Sequence, residues 1–141
     1  MKKKLFAIAA AFLMISTATF AAGKQPVPGA VQKSLTRTFG TATDIQWKTT
    51  DNFFKASFVV NDRQQEAFFD VDGSLIAVSR NVFVNQLPAS LQAGVKGQET
   101  GFTVTSLFEL VSEKGTEYYI SYSNGKETQT YKSGGEVWTR Y

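Results

Sequence analysis

Apolar residues recur at every fourth position from Val27 through Val31 and Leu35 to Phe39, with Gln32, Lys33, Thr36 and Arg37 between them. That spacing draws one stripe along a helix and leaves the intervening polar side chains to solvent. Pro28 suits the first turn, where its missing N–H costs nothing, and Gly40 is placed to end the helix. Beyond it the period shortens to two. Asp44–Thr49, Phe53–Asn61, Gln64–Asp70 and Leu75–Val84 read as strands, with turns at Asn61-Asp62 and Asp72-Gly73. The order then returns. Leu87, Leu91 and Val95 mark a second helix, weakened and shortened by Gly94 and Gly97. Strands are predicted over Phe102–Val111, Thr116–Ser123, Lys126–Lys132 and Val137–Tyr141, with Asn124-Gly125 as the strongest hairpin signal and Gly134-Gly135 closing the last turn.

The return is residue by residue. Val27-Pro28-Gly29-Ala30-Val31-Gln32 is echoed sixty positions later by Leu87-Pro88-Ala89-Ser90-Leu91-Gln92. Phe54, Ala56 and Phe58 correspond to Tyr118, Ile120 and Tyr122, and Phe69 with Gly73-Ser74-Leu75 to Tyr131 with Gly135-Glu136-Val137. Solenoid repeats have periods of roughly 20–50 residues, so this longer one points to a duplicated helix-plus-sheet unit. The expected fold is α+β: two tandem units, each a helix followed by an antiparallel meander, over about 27–84 and 87–141. The helices would pack on one face of a curved antiparallel sheet.

Period-two alternation assigns the faces. Phe54, Ala56, Phe58 and Val60, with Tyr118, Ile120 and Tyr122, should face the helices, as should Phe69 and Tyr131. Phe53, Lys55, Ser57, Phe68, Tyr119, Ser121 and Thr130 should then point the other way. In the fourth strand of each unit, Leu75 and Val137 are expected inside, Ile76 and Trp138 outside.

The first residues stand apart. Lys2, Lys3 and Lys4 precede an apolar run from Leu5 to Ile15 and a small-residue stretch from Ser16 to Ala22. This is the pattern of a secretory signal peptide over 1–21, cut after Ala21 or Ala22, leaving one domain over 22–141. The apolar run is shorter than the roughly 20 residues a membrane span needs. Export removes three of the fifteen basic residues, leaving twelve against twelve acidic ones. The mature chain is then neutral, with neither a basic patch for nucleic acid nor a charge run for an anionic membrane. Cysteine and histidine are both absent. Their absence excludes disulfides, a lipoprotein anchor, thiolate nucleophiles, Ser-His-Asp triads and ordinary zinc sites.

Taken together, Asp44-Ile45-Gln46-Trp47 after a helix ending in Phe39, Phe54-Lys55-Ala56-Ser57-Phe58, Phe68-Phe69-Asp70-Val71-Asp72-Gly73 and Leu87-Pro88 resemble the PepSY-like family of exported bacterial proteins, also described as β-lactamase-inhibitor-protein-like. The resemblance spans essentially the whole mature chain. It implies the same tandem α-β architecture and, by analogy with the inhibitor, a concave sheet that grips an enzyme. This chain departs from that inhibitor in having no cysteine to pin a loop.

Candidate chemistry is sparse. Asp70-Val71-Asp72-Gly73 begins like a calcium loop, but its glycine comes too early and position 12 falls on Asn81, so a hairpin turn explains it better. Glu109, Glu113 and Glu117 read as a solvated turn rather than an acid/base pair. No cofactor or metal is expected, and no enzymatic activity. The aromatic positions opposite the helices carry the functional reading instead. Phe53, Lys55, Phe68, Tyr119 and Trp138 would form an exposed grip on the free face, since apolar patches rimmed by polar groups mark binding surfaces. The expected partner is a protein in the cell envelope or outside the cell, with a second copy of the chain as another possibility. The alternative is a periplasmic carrier or sensor of a small apolar ligand or peptide.

Overall fold

The structure, a computed structural model, describes residues 26–95 and 101–141. The expected signal peptide, its cleavage site and Gly97 lie outside those residues. Helix α1 (Gly29–Thr38) forms where the four-residue stripe predicts it, followed by strands β1 (Thr43–Thr49), β2 (Phe54–Val60), β3 (Arg63–Phe69) and β4 (Leu75–Asn81). A 3-10 turn (Val84–Gln86) leads into helix α2 (Ala89–Ala93), then β5 (Thr103–Ser112), β6 (Gly115–Ser123), β7 (Thr128–Ser133) and the two-residue β8 (Thr139–Arg140). Strand neighbours follow chain order from β1 to β8. The class is therefore α+β with antiparallel strands, as the alternation implied. The chain divides into two compact units inside β4, between Val78 and Ser79.

In the first unit Val31 and Leu35 of α1 are buried against Phe54, Ala56, Phe58, Ala67 and Phe69, with Val27, Phe39, Ala42, Trp47 and Val60 around them. Every large residue assigned to the helix side of β2 and β3 is in that cluster. Asn61 and Asp62 both take positive φ, 51° and 60°, as a type I′ hairpin turn requires. The β3–β4 turn uses its aspartates as hydrogen-bond acceptors. Asp70 Oδ1 accepts from the Val71 amide and Asp72 Oδ1 from the Ser74 amide, each at 2.9 Å. Hydrogen bonds from Ser74 hold the Asp72 carboxyl below its usual pKa. Gly73, at φ 89°, brings this turn against α1. A Cβ there would lie 2.8 Å from the Ala30 carbonyl oxygen.

In the second unit Leu91 of α2 is buried with Val82, Leu87, Leu107, Ile120 and Tyr122, and Val95, Phe102, Tyr118, Tyr131 and Trp138 pack against them. The short α2 fits the weakness expected from Gly94. Asn124-Gly125 turns as predicted but not as a simple two-residue I′ loop. The Asn124 side chain accepts from the Lys126 and Glu127 amides at 2.9 and 2.8 Å, shifting the turn one residue onward.

Three expectations are corrected. Trp138 is on the helix side, not outside: its indole Nε1 donates to the Leu91 carbonyl at 3.0 Å, which also accepts from the Gly94 amide at the end of α2. The chain reaches it through the loop before β8, so parity counted along a strand from Val137 does not apply. Gly94 leaves the space, since a Cβ there would sit 2.8 Å from Trp138 Cδ1. Leu75 and Val137, expected inside, are 37% and 69% exposed because each lies at or outside its strand's start. Glu109 is not in a solvated turn; β5 extends past it, and it is buried and ion-paired with Arg80.

Candidate functional site

Alternation along β2 sends Lys55 and Ser57 away from α1, and register places Phe68 of β3 opposite Lys55 and Glu66 opposite Ser57. This is the helix-free face of the first unit. Phe53 meets Phe68 edge-on at 5.5 Å between ring centroids. Beside that pair, Lys55 Nζ bonds Glu66 Oε1 at 2.9 Å, and Ser57 Oγ donates to the same oxygen at 3.1 Å. Lys55 and Glu66 are diagonal rather than direct partners, a spacing long side chains bridge. Glu66 Oε2 is buried and has no hydrogen-bond partner. Lys48 of β1 stands directly opposite Lys55. Desolvation, followed by the Lys55 charge, pushes the Lys48 pKa below the usual lysine value, with Glu66 acting in the other direction.

On the helix-free face of the second unit, Tyr119 of β6 pairs with Phe108 of β5 and Lys132 of β7. Its ring stacks on Phe108 at 5.1 Å and 9°, and meets Tyr141 edge-on at 5.6 Å. Lys132 Nζ lies 5.4 Å from the Tyr141 ring centroid, within cation–π range. The Tyr119 hydroxyl donates to Glu117 Oε2 at 3.4 Å. Burial, then the Glu117 charge, raises the Tyr119 pKa well above the usual tyrosine value, and Tyr141 is raised by the same two causes. Ser121 and Thr130 hydroxyls bond each other at 2.9 Å on this face. Nearby, a cleft of about 340 Å³ is lined by Glu117, Lys132, Ser133, Gly134, Glu136, Val137 and Thr139.

The five residues expected to form an exposed grip therefore do not do so as a set. Phe53 and Phe68 pair in one unit, and Tyr119 stacks in the other. Phe53, Phe68 and Tyr119 are only 5%, 0% and 3% exposed, and Lys55 is 9% exposed. Trp138 belongs to the helix side. The face assignment holds for four of the five, while their expected exposure does not: aromatic partners and an ion pair enclose them. Sequence reasoning missed Phe108, Glu66 and Tyr141. Counting pairs across β5 and β6 finds Phe108 opposite Tyr119, and the charge of Lys55 points to an acidic residue on β3. Tyr141 follows a strand too short for its face to be read by alternation.

No protein-family model and no curated protein sequence matches the chain. Solved structures do. A BLIP-like protein from Bacteroides fragilis NCTC 9343 is 19% identical, with a TM-score of 0.70 over 84% of this chain and 88% of that one. A provisionally periplasmic protein from Bacteroides eggerthii DSM 20697 is 18% identical, with a TM-score of 0.72 over 83% and 89%. A DUF2874 family protein from Bacteroides ovatus ATCC 8483 is 16% identical, with a TM-score of 0.69 over 82% and 89%. The chain thus has the fold of BLIP-like and DUF2874 proteins, and the expected β-lactamase-inhibitor-protein-like architecture is met at the level of fold.

Proposed function

We propose that this chain is an exported, non-enzymatic module that binds a protein partner through the helix-free faces of its units, in the manner of an inhibitor. The observation that carries this reading is the placement of aromatic residues on both sides of the strands. Phe54, Phe58 and Phe69 meet α1, while Phe53 and Phe68 form a separate pair on the other side. The same holds for Ile120 and Tyr122 against the stack of Phe108 and Tyr119. A sheet served by helices on one side needs only one apolar face, and the second is costly to keep unless something uses it.

The buried rings supply a stiff floor, and the groups at its margin would make contact. In the second unit these are Tyr141, which is 36% exposed, with Lys132 and Glu117. Tyrosine beside charged groups is what anchoring positions in protein interfaces favour. Occlusion by such a surface needs no cofactor and no catalytic group. The leader-like start of the sequence and the provisional periplasmic naming of one structural neighbour support export. The carrier alternative gains no support from the cleft of the second unit, whose charged lining does not suit an apolar ligand.

Site-specific photo-crosslinking in the native host tests this reading without disturbing the buried rings. A benzophenone side chain at position 141 should capture one discrete protein, whereas the same group at Lys33, on the exposed side of α1, should not. Capture from position 33 alone, or from neither position, would reject it.

A further inference from the structure

Asn124-Gly125 is the one Asn-Gly pair in the chain; the other asparagines precede Phe53, Asp62, Val82 and Gln86. The pair is exposed in the turn between β6 and β7. An asparagine before glycine is chemically labile. The amide nitrogen of the next residue can attack the side-chain carbonyl, and glycine alone brings no Cβ into that path.

The closed turn engages both reacting groups. Asn124 Oδ1 accepts from the Lys126 and Glu127 amides at 2.9 and 2.8 Å, which holds the side-chain carbonyl on the residues ahead of it. The Gly125 amide, which must shed its proton to become a nucleophile, donates to Ser123 Oγ at 3.1 Å. All three bonds are local and exposed to solvent. Such bonds open at far less cost than the strands they join.

We propose that Asn124 is a site of spontaneous covalent modification whose rate is set by opening of this turn. In the open turn Gly125 N gives its proton to solvent and bonds to Asn124 Cγ. The Cγ–Nδ2 bond breaks, and Nδ2 takes up a proton and leaves as ammonia, closing a five-membered succinimide. Water then opens the ring. Cleavage between Cγ and Gly125 N yields aspartate, whose carboxylate accepts from the Lys126 and Glu127 amides more strongly than the amide oxygen did. Cleavage between the Asn124 carbonyl carbon and Gly125 N yields isoaspartate. That product lengthens the main chain by one carbon beside the Ser123–Thr128 pair that opens the β6–β7 ladder, so the turn cannot close as before. The chemistry is independent of what binds the helix-free faces.

The test compares the folded chain, the chain in urea and acetyl-Tyr-Ser-Asn-Gly-Lys-Glu-amide, which copies residues 122–127, at one neutral pH. Isoaspartate is located by mass-spectrometric peptide mapping and quantified by enzymatic isoaspartyl methylation. The chain in urea should match the peptide. In the folded chain Asn124 should convert roughly 5–140-fold more slowly, the factor that two hydrogen bonds to one acceptor are worth. It should nevertheless convert ahead of every other asparagine. Ser123→Ala releases the Gly125 amide and should speed the folded rate roughly 2–12-fold, leaving the rate in urea unchanged. Four results would each overturn the proposal. They are a folded rate equal to the peptide's, a folded rate more than about 140-fold below it, first conversion at another asparagine, and no effect of Ser123→Ala on the folded chain.

Discussion

The hydroxyl of Tyr119 donates to the Glu117 carboxylate, while its ring stacks on Phe108 and meets the Tyr141 ring edge-on. Burial and the neighbouring negative charge both disfavour the phenolate, so the folded chain keeps this proton to higher pH than the unfolded chain does. Below the usual tyrosine pKa of about 10 both states are protonated and the group adds no pH dependence. As pH rises past that value the unfolded state ionises first, and stability falls. Thermal melts between about pH 9 and 11 should show this decline, and Tyr119→Phe should flatten it. An unchanged slope in the variant would exclude Tyr119 as the source. This environment could be read only in part from residue order. Alternation located the face of Tyr119, but the partner ring of Tyr141 lies beyond a strand of two residues. Trp138 was misassigned for the same reason, since period-two parity has meaning only where a strand is continuous.

Both helices begin alike. Pro28 and Pro88 precede them with φ of −58° and −51°, and each is followed four residues on by a glutamine whose amide reaches back across the first turn. Gln32 Nε2 donates to the Val27 carbonyl at 3.0 Å and Gln92 Nε2 to the Leu87 carbonyl at 2.8 Å. The matching glutamines were visible in the duplicated sequence, but the bond they make was not, because a side-chain contact over five residues leaves no periodic signature. Gln32→Ala and Gln92→Ala should each cost about 0.5–1.5 kcal/mol in urea unfolding, the usual worth of one such hydrogen bond. Loss in only one variant would show that the shared glutamine does different work in the two helices. Strand order and the main turns were legible because they depend on local chemistry, such as Asn61-Asp62 in positive φ. Burial of the helix-free faces was not, since alternation tells which way a residue points and not what meets it there.

At the level of the whole molecule, stability must come from packing, because a chain without cysteine has no covalent brace. Each unit has its own helix-side cluster, with Phe58 1% exposed at one centre and Ile120 fully buried at the other. Phe58→Ala should lower unfolding free energy by about 3–5 kcal/mol and Ile120→Ala by about 2–5 kcal/mol. Folded domains hold only about 5–15 kcal/mol in total, so either change should bring the midpoint of denaturation down sharply. A loss below about 1 kcal/mol would mean that the site collapses around the deletion and that the cluster is looser than its burial suggests. The two tryptophans of the chain are divided between these clusters, Trp47 beside the first and Trp138 beside the second. The protein thus carries one intrinsic fluorophore per unit. In a Trp47→Phe chain all indole emission reports the second unit, and its difference from the parent's emission isolates the first, so the order in which the two units melt can be followed optically with no dye attached.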